Sequence, residues 1–203
     1  KHSQRYHDGR IHGSVITNAC VSGRCSHRNP NMAQIPRVGQ PYGAECRGLF
    51  YAPHGWRQVG CDASGLELRG LGAQLAYFDG GEYAKLVSTE GFDIHTHNAK
   101  LFGIYDGQGT IEKRIREQAK TLIYAVLYGA GAQKLGTILD PSLGQYDQQD
   151  LGRETIETFY KNLPAIKKLK DKVDERVIDR GYLIGIDGRH LQIRSRHSAL
   201  NQL

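Results

Sequence analysis

Arg116, Lys120, Tyr124 and Tyr128 recur at four-residue intervals in RIREQAKTLIYAVLYGAG, and Gly129 follows the last tyrosine. On a helix each step of four advances about 40°, so the four side chains span about 120° of arc over about 18 Å of length. The apolar residues Ile115, Ala119, Leu122, Ile123, Val126 and Leu127 fall on another face, and the two faces barely overlap. Arg and Lys are ordinary on a solvated face, whereas two phenols in the same line leave large rings in water with no packing return. Cations at one end and aromatic faces at the other suit a ligand with an anionic part and a planar part. A nucleoside triphosphate has that shape and a comparable length.

This line needs a long helix to carry it and other elements to seat its apolar face. Thr110, with Glu112 just behind it, supplies a start for that helix. Upstream, residues 1 to about 46 show no sustained helical period and read as extended or looped segments. GLFYAPHGWRQVGCDASG reads as two short strands, around 48 to 52 and 56 to 62, turning at Pro53 to Gly55. Leu66, Leu68, Leu71 and Leu75 predict a helix over 66 to 76, and Asp93 and His95 open another over 93 to 102. A charged helical region from about 148 to 180 must kink or divide at Pro164. GYLIGIDGRHLQIR reads as a hairpin turning at Asp187 and Gly188. There are no internal repeats and no low-complexity segment.

Composition narrows the class. The net charge of +6 and pI near 9.1 over 203 residues suit a polyanionic partner without requiring one. Cys20, Cys25, Cys46 and Cys61 follow no CxxC spacing, which argues against structural zinc and reads as free thiols in a reducing cytoplasm. No apolar run approaches the roughly 20 residues of a membrane span, and no signal peptide opens the chain. An intracellular, cytoplasmic protein is expected. The first residue is not Met and SALNQL ends without a stop signal, so a fragment of a longer protein is expected.

Four stretches in order carry a resemblance. VGCDASGLELRGLGAQLA, residues 59 to 76, resembles the first catalytic motif of family A DNA polymerases, the DNA polymerase I family, and the RIREQAK stretch resembles their nucleotide-binding motif. SGRCSHRNPNMAQIP, residues 22 to 36, resembles the family's primer- and template-holding segment, and FDIHTHNAK matches its Asp-Ile-His element. DASGLELR together with LYGAG looks closest to the replicative phage branch. The implied fold is α+β: a polymerase palm with a short antiparallel sheet (residues 1–90), a helical fingers subdomain (91–180), then a hairpin that starts the return to the palm (181–203).

The resemblance also implies roles. Asp62 would bind metal as a carboxylate aimed from a strand end, with the Ala63 carbonyl as a second oxygen, in a site for two Mg²⁺ ions. Arg116, Lys120 and His95 would hold the triphosphate, and Lys120 would also protonate the departing pyrophosphate as general acid. Glu67 matches the residue that crowds the sugar's 2′ carbon. Tyr124 stands beside the 3′ carbon, where a tyrosine implies poor discrimination against dideoxynucleotides. Tyr128 matches the residue stacking at the templating site, with Gly129 allowing close backbone approach. Arg24 matches a minor-groove contact at the primer terminus, Asn31 and Gln34 match neighbouring polar contacts, and Arg47 matches a phosphate contact. For Arg47, a solvated surface arginine explains the sequence equally well. The implied partners are primer-template DNA and deoxynucleoside triphosphates; nothing in the sequence identifies a processivity factor.

Departures from the family pattern matter as well. The third motif, a His-Asp-Glu triplet with the second metal-binding aspartate, occurs nowhere in the chain. Primer extension by the 203 residues alone is therefore not expected. Gly65 stands where many bacterial relatives carry Gln, and Cys25 to Arg28 replace a serine-rich run. Two other readings remain: a DNA-binding fragment or relic without catalysis, and a single-subunit RNA polymerase, against which Glu67 and Tyr124 argue.

Overall fold

The computed structural model describes residues 9–20, 23–196 and 199–200. The chain divides into two compact units, Lys1–Ala63 and Ser64–Leu203.

In the first unit, β1 (Ser14–Ile16) pairs antiparallel with β2 (Ser26–Arg28), Val15 opposite His27. A single 3-10 turn, Met32–Gln34, follows, and the Asn31 side chain caps it by accepting from the Ala33 N–H at 3.1 Å. Helix α1 (Gly43–Gly48) comes next; a Cβ on buried Gly43 would run into the Arg37 carbonyl. The looped character expected before residue 46 is thus punctuated by a ribbon, a turn and a helix. The strands expected around 48–52 and 56–62 are absent, although the Pro53 turn forms, with the Trp56 N–H donating to the Pro53 carbonyl at 2.9 Å. Aromatic residues such as Phe50, Tyr51 and Trp56 suit a strand, but a strand also needs a neighbour to take its backbone hydrogen bonds. Among the described residues this segment has no strand partner, and Tyr51, Trp56 and Val59 are left exposed.

The second unit is helical: α2 (Leu66–Asp79), α3 (Glu82–Ser88), α4 (Ile94–Leu101), α5 (Lys113–Leu127), α6 (Ala132–Leu139), α7 (Gln145–Asn162) and α8 (Pro164–Arg180), closed by the hairpin β3 (Tyr182–Ile184) and β4 (His190–Gln192). Helix α2 begins where the leucine period predicts, and Leu68, Leu71 and Leu75 are buried. Pro164 divides the charged region as predicted, sitting at the first position of α8, where its missing N–H costs nothing. Helix α5 starts at Lys113, three residues after the expected Thr110 start, and Glu112 at its N-cap makes no side-chain cap. The short helices α3 and α6 were not anticipated.

One core joins these elements. Leu122, Ile123, Val126 and Leu127 of α5 pack with the α2 leucines, Tyr83, Leu135, Phe159, and Ile166, Leu169 and Val173 of α8. Phe102 stacks on Phe159 with centroids 4.1 Å apart. Helices α6 and α7 approach so closely that a Cβ on Gly136 would meet the Gln148 carbonyl, and one on Gly152 the Ala132 carbonyl. The hairpin brings Leu183 opposite Leu191, both buried, and turns at Asp187–Gly188 with Gly188 at φ +81°. Among the described residues no helix is long and apolar enough to cross a membrane.

Candidate nucleotide site

Helix α5 turns its apolar face inward where the sequence period places it: Ala119, Leu122 and Ile123 are fully buried. The opposite line stays accessible, with Arg116 half-buried, Lys120 exposed, Tyr124 half-buried and Tyr128 exposed. Tyr124 departs from the expectation of two exposed phenols. Its ring packs against the core, and burial together with the nearby Glu67 carboxylate pushes its phenol pKa up. Glu67, exposed in the first turn of α2, is therefore brought to the same neighbourhood.

Helix α4 supplies the rest. Asp93 is its N-cap, accepting from the His95 N–H at 3.2 Å and the Thr96 hydroxyl at 2.6 Å. The same carboxylate receives Arg116 in a forked pair, Nε to Oδ2 at 2.7 Å and Nη2 to Oδ1 at 3.0 Å. A weaker 3.4 Å contact joins Arg116 to Glu117. The Arg116 hydrogen bonds hold the Asp93 carboxyl far below the usual carboxylate range, and the pair raises Arg116 in turn. His95 lies half-buried with its Nδ1 unpaired. Burial, followed by the Arg116 charge, lowers its pKa with Lys120 contributing, so the imidazole is neutral at pH 7. Arg116 and Lys120 thus set two cations beside the His95 imidazole, and the Lys120 ammonium pairs with no carboxylate among the described residues.

Beside it lies a recess of about 420 Å³ bordered by Gly65, Arg69, Glu90, Phe92, His95 and Tyr124. Arg69 ties it together by donating from Nε to the Ser64 carbonyl at 2.9 Å. A cavity of similar size, about 380 Å³, opens among α5, α7 and α8 with Gly129, Tyr160 and Lys170 on its wall. The first recess is the better candidate, because it adjoins the cations and rings that a nucleotide needs. Tyr128 ends α5, and Gly129 at φ +74° turns the chain out of the helix. That left-handed turn is the reason for glycine that the structure itself supplies.

The other predicted residues lie in the first unit. Asp62 and Ala63, its last two residues, are exposed in irregular backbone, so the strand-end position expected for Asp62 is corrected along with the missing strand. Arg24, Asn31, Gln34 and Arg47 are exposed. Arg47 Nε donates to the Pro36 carbonyl at 2.8 Å and Nη2 to Ile35 at 3.4 Å, so part of its guanidinium fixes the loop after the 3-10 turn. With Met32, Ile35 and Phe50 it borders a recess of about 320 Å³. No three acidic, His or Cys side chains gather into a metal-holding cluster among the described residues.

Sequence reading missed Asp93 as a partner of Arg116. Its capping role is signalled by the Asp-x-x-Thr spacing, but its grip on a side chain 23 residues away has no local signature.

The family model for DNA polymerase family A matches residues 1–203. The DNA-directed DNA polymerases of Enterobacteria phage T3 and Escherichia phage T7 are each 40% identical over 218 residues, covering 97% of this chain and 29% of the phage protein. DNA polymerase I of Chloroflexus aurantiacus is 34% identical over 186 residues, covering 89% of this chain and 18% of the relative. The chain thus spans less than a third of the length of these relatives. Among solved structures, the POL domain of Pol1 from M. smegmatis in complex with DNA primer-template and dNTP aligns with a TM-score of 0.71 and 21% identity. It covers 98% of this chain and 34% of that one, a likeness of fold.

Proposed function

The chain belongs to DNA polymerase family A, and on that premise we propose that it carries the incoming-nucleotide site and the first metal-binding aspartate of a DNA-directed DNA polymerase. The observation that carries this reading is the accessible line on α5: Arg116 and Lys120 beside His95, then Tyr124 and Tyr128. Arg116, Lys120 and His95 bind the triphosphate, and Lys120 gives a proton to the leaving pyrophosphate. Tyr124 and Glu67 face the sugar, Glu67 excluding a 2′ hydroxyl, and Tyr128 with Gly129 adjoins the templating base. Arg24, Asn31, Gln34 and Arg47 contact the primer-template. In this reading the first unit, α2 and α3 belong to a palm, and α4 to α8 form the fingers.

Asp62 is exposed, and its carboxylate accepts no hydrogen bond among the described residues, so it fits a hard cation; Ala63 adds a carbonyl oxygen. Mg²⁺ held there with a second carboxylate donor would lower the pKa of a primer hydroxyl and neutralise charge on the leaving group. One aspartate, with no acidic cluster gathered around it among the described residues, is a partial donor set. We therefore assign this chain the nucleotide-holding half of the chemistry and expect no primer extension from it alone.

The phage relatives' names, DNA-directed DNA polymerase, support deoxynucleotide use over the RNA polymerase alternative. The test is Asp62→Ala in a full-length enzyme carrying this segment. Primer extension should be abolished while duplex binding persists; extension at the unaltered rate would remove Asp62 from the metal site.

A further inference from the structure

Among the described residues, Asp93 bonds both the start of α4 and the cationic line of α5. Each of its oxygens accepts two donors: Oδ1 takes the His95 N–H and Arg116 Nη2, and Oδ2 takes the Thr96 hydroxyl and Arg116 Nε. Four acceptances nearly saturate a carboxylate, so Asp93 is engaged as an anchor rather than available as a metal ligand. Arg116 keeps capacity to spare. Of its five N–H groups Asp93 engages two and Glu117 makes one long contact, leaving two for an anion.

We propose that Asp93 is a positioning residue for the phosphate-binding face: it fastens the start of α4 to α5 so that His95 and Arg116 address one polyphosphate. This rests on the nucleotide reading above. The alternative arrangement, in which Asp93 competes with phosphate for Arg116 and is displaced by it, has a structural cost. A carboxylate leaving Arg116 would move away from the His95 N–H and Thr96 hydroxyl that it also holds, uncapping α4. The retained anchor sets the guanidinium plane in advance, and the free edge is then already oriented when the ligand arrives. The carboxyl's strongly depressed pKa keeps the anchor charged throughout the neutral range.

Asp93→Asn separates the anchor from the cap. Asparagine caps a helix about as well as aspartate but offers a single neutral oxygen, which cannot receive both arms of the fork. The experiment is calorimetric titration of dGTP with Mg²⁺ into the whole 203-residue chain, its Arg116→Ala and Asp93→Asn variants, and the double variant, with melting temperatures recorded alongside. Asp93→Asn should weaken binding about tenfold, as expected for losing a charge-assisted bond that orients the ligand's partner. Its melting temperature should stay near that of the unaltered chain, and the double variant should bind no more weakly than Arg116→Ala alone.

Several outcomes overturn the proposal. Unchanged binding by Asp93→Asn, with Arg116→Ala weakened, removes the positioning role but leaves the nucleotide reading intact. Tighter binding makes Asp93 a competitor. Additive losses in the double variant, or a loss matched by a fall in melting temperature, assign its effect to something other than Arg116. No binding by the unaltered chain, or none lost in Arg116→Ala, overturns the nucleotide reading and this inference with it.

Discussion

The two faces of α5 should respond to substitution in opposite ways, and Leu122 and Lys120 test this two residues apart. Leu122 is fully buried in the hydrophobic core of the second unit, so Leu122→Ala leaves a cavity there. For a site with no exposure and little room to collapse, the expected cost is about 3 kcal/mol. Lys120 is exposed and joins no ion pair among the described residues, so Lys120→Ala removes little packing and adds helix propensity. Its stability should change by no more than about 0.5 kcal/mol. Binding should change the other way. Losing an ammonium that bonds a phosphate weakens dGTP affinity roughly tenfold or more. The assays are urea unfolding followed by far-UV circular dichroism and nucleotide titration by calorimetry. Lys120→Ala as destabilising as Leu122→Ala, or unchanged dGTP affinity in Lys120→Ala, would refute the division of this helix into a seating face and a binding face.

Further predictions follow from other parts of the chain. In a full-length enzyme, Tyr124→Phe should raise discrimination against dideoxynucleotides, read as the ratio of dideoxy to deoxy incorporation; an unchanged ratio would remove Tyr124 from the sugar. Gly152→Ala drives a methyl into the Ala132 carbonyl and should cost about 1–3 kcal/mol in urea unfolding. Gly70→Ala, in α2 with open space around its Cβ, should stabilise by about 0.5–1 kcal/mol, and equal effects at the two glycines would contradict the close α6–α7 packing. His95 and His97 are both held below an ordinary histidine's pKa, chiefly by burial. The unfolded chain therefore binds more protons below about pH 6.5, and stability is lost as pH falls from there through the folded values. Melting curves from pH 7.5 to 5.5 should show this, and His95→Gln with His97→Gln should flatten the dependence.

The sequence made α5 legible because its period is sustained for fifteen residues and its two faces differ in chemistry. The same logic placed α2, the Pro164 break and the Asp187–Gly188 hairpin, each of which rests on local signals. It failed where structure depends on distant partners or very short segments. Residues 48–62 have the composition of strands, but pairing is a property of a neighbour and none is present among the described residues. Helices α3 and α6, seven and eight residues long, complete too few turns for a period to emerge. Helix α1 starts and ends in glycine and owes its place to the tight approach at Gly43. At the candidate site, the line of Arg116, Lys120 and Tyr124 could be read directly. What orients it could not, since Asp93 meets Arg116 only through the packing of α4 on α5.

The most direct test of the central claim is a crystal structure of the chain with a deoxynucleoside triphosphate and Mg²⁺. The account predicts phosphate density against Arg116, Lys120 and His95, with the sugar toward Tyr124 and Glu67. Nucleotide density in the cavity among α5, α7 and α8, or any pose that leaves Arg116 and Lys120 without phosphate, would contradict it.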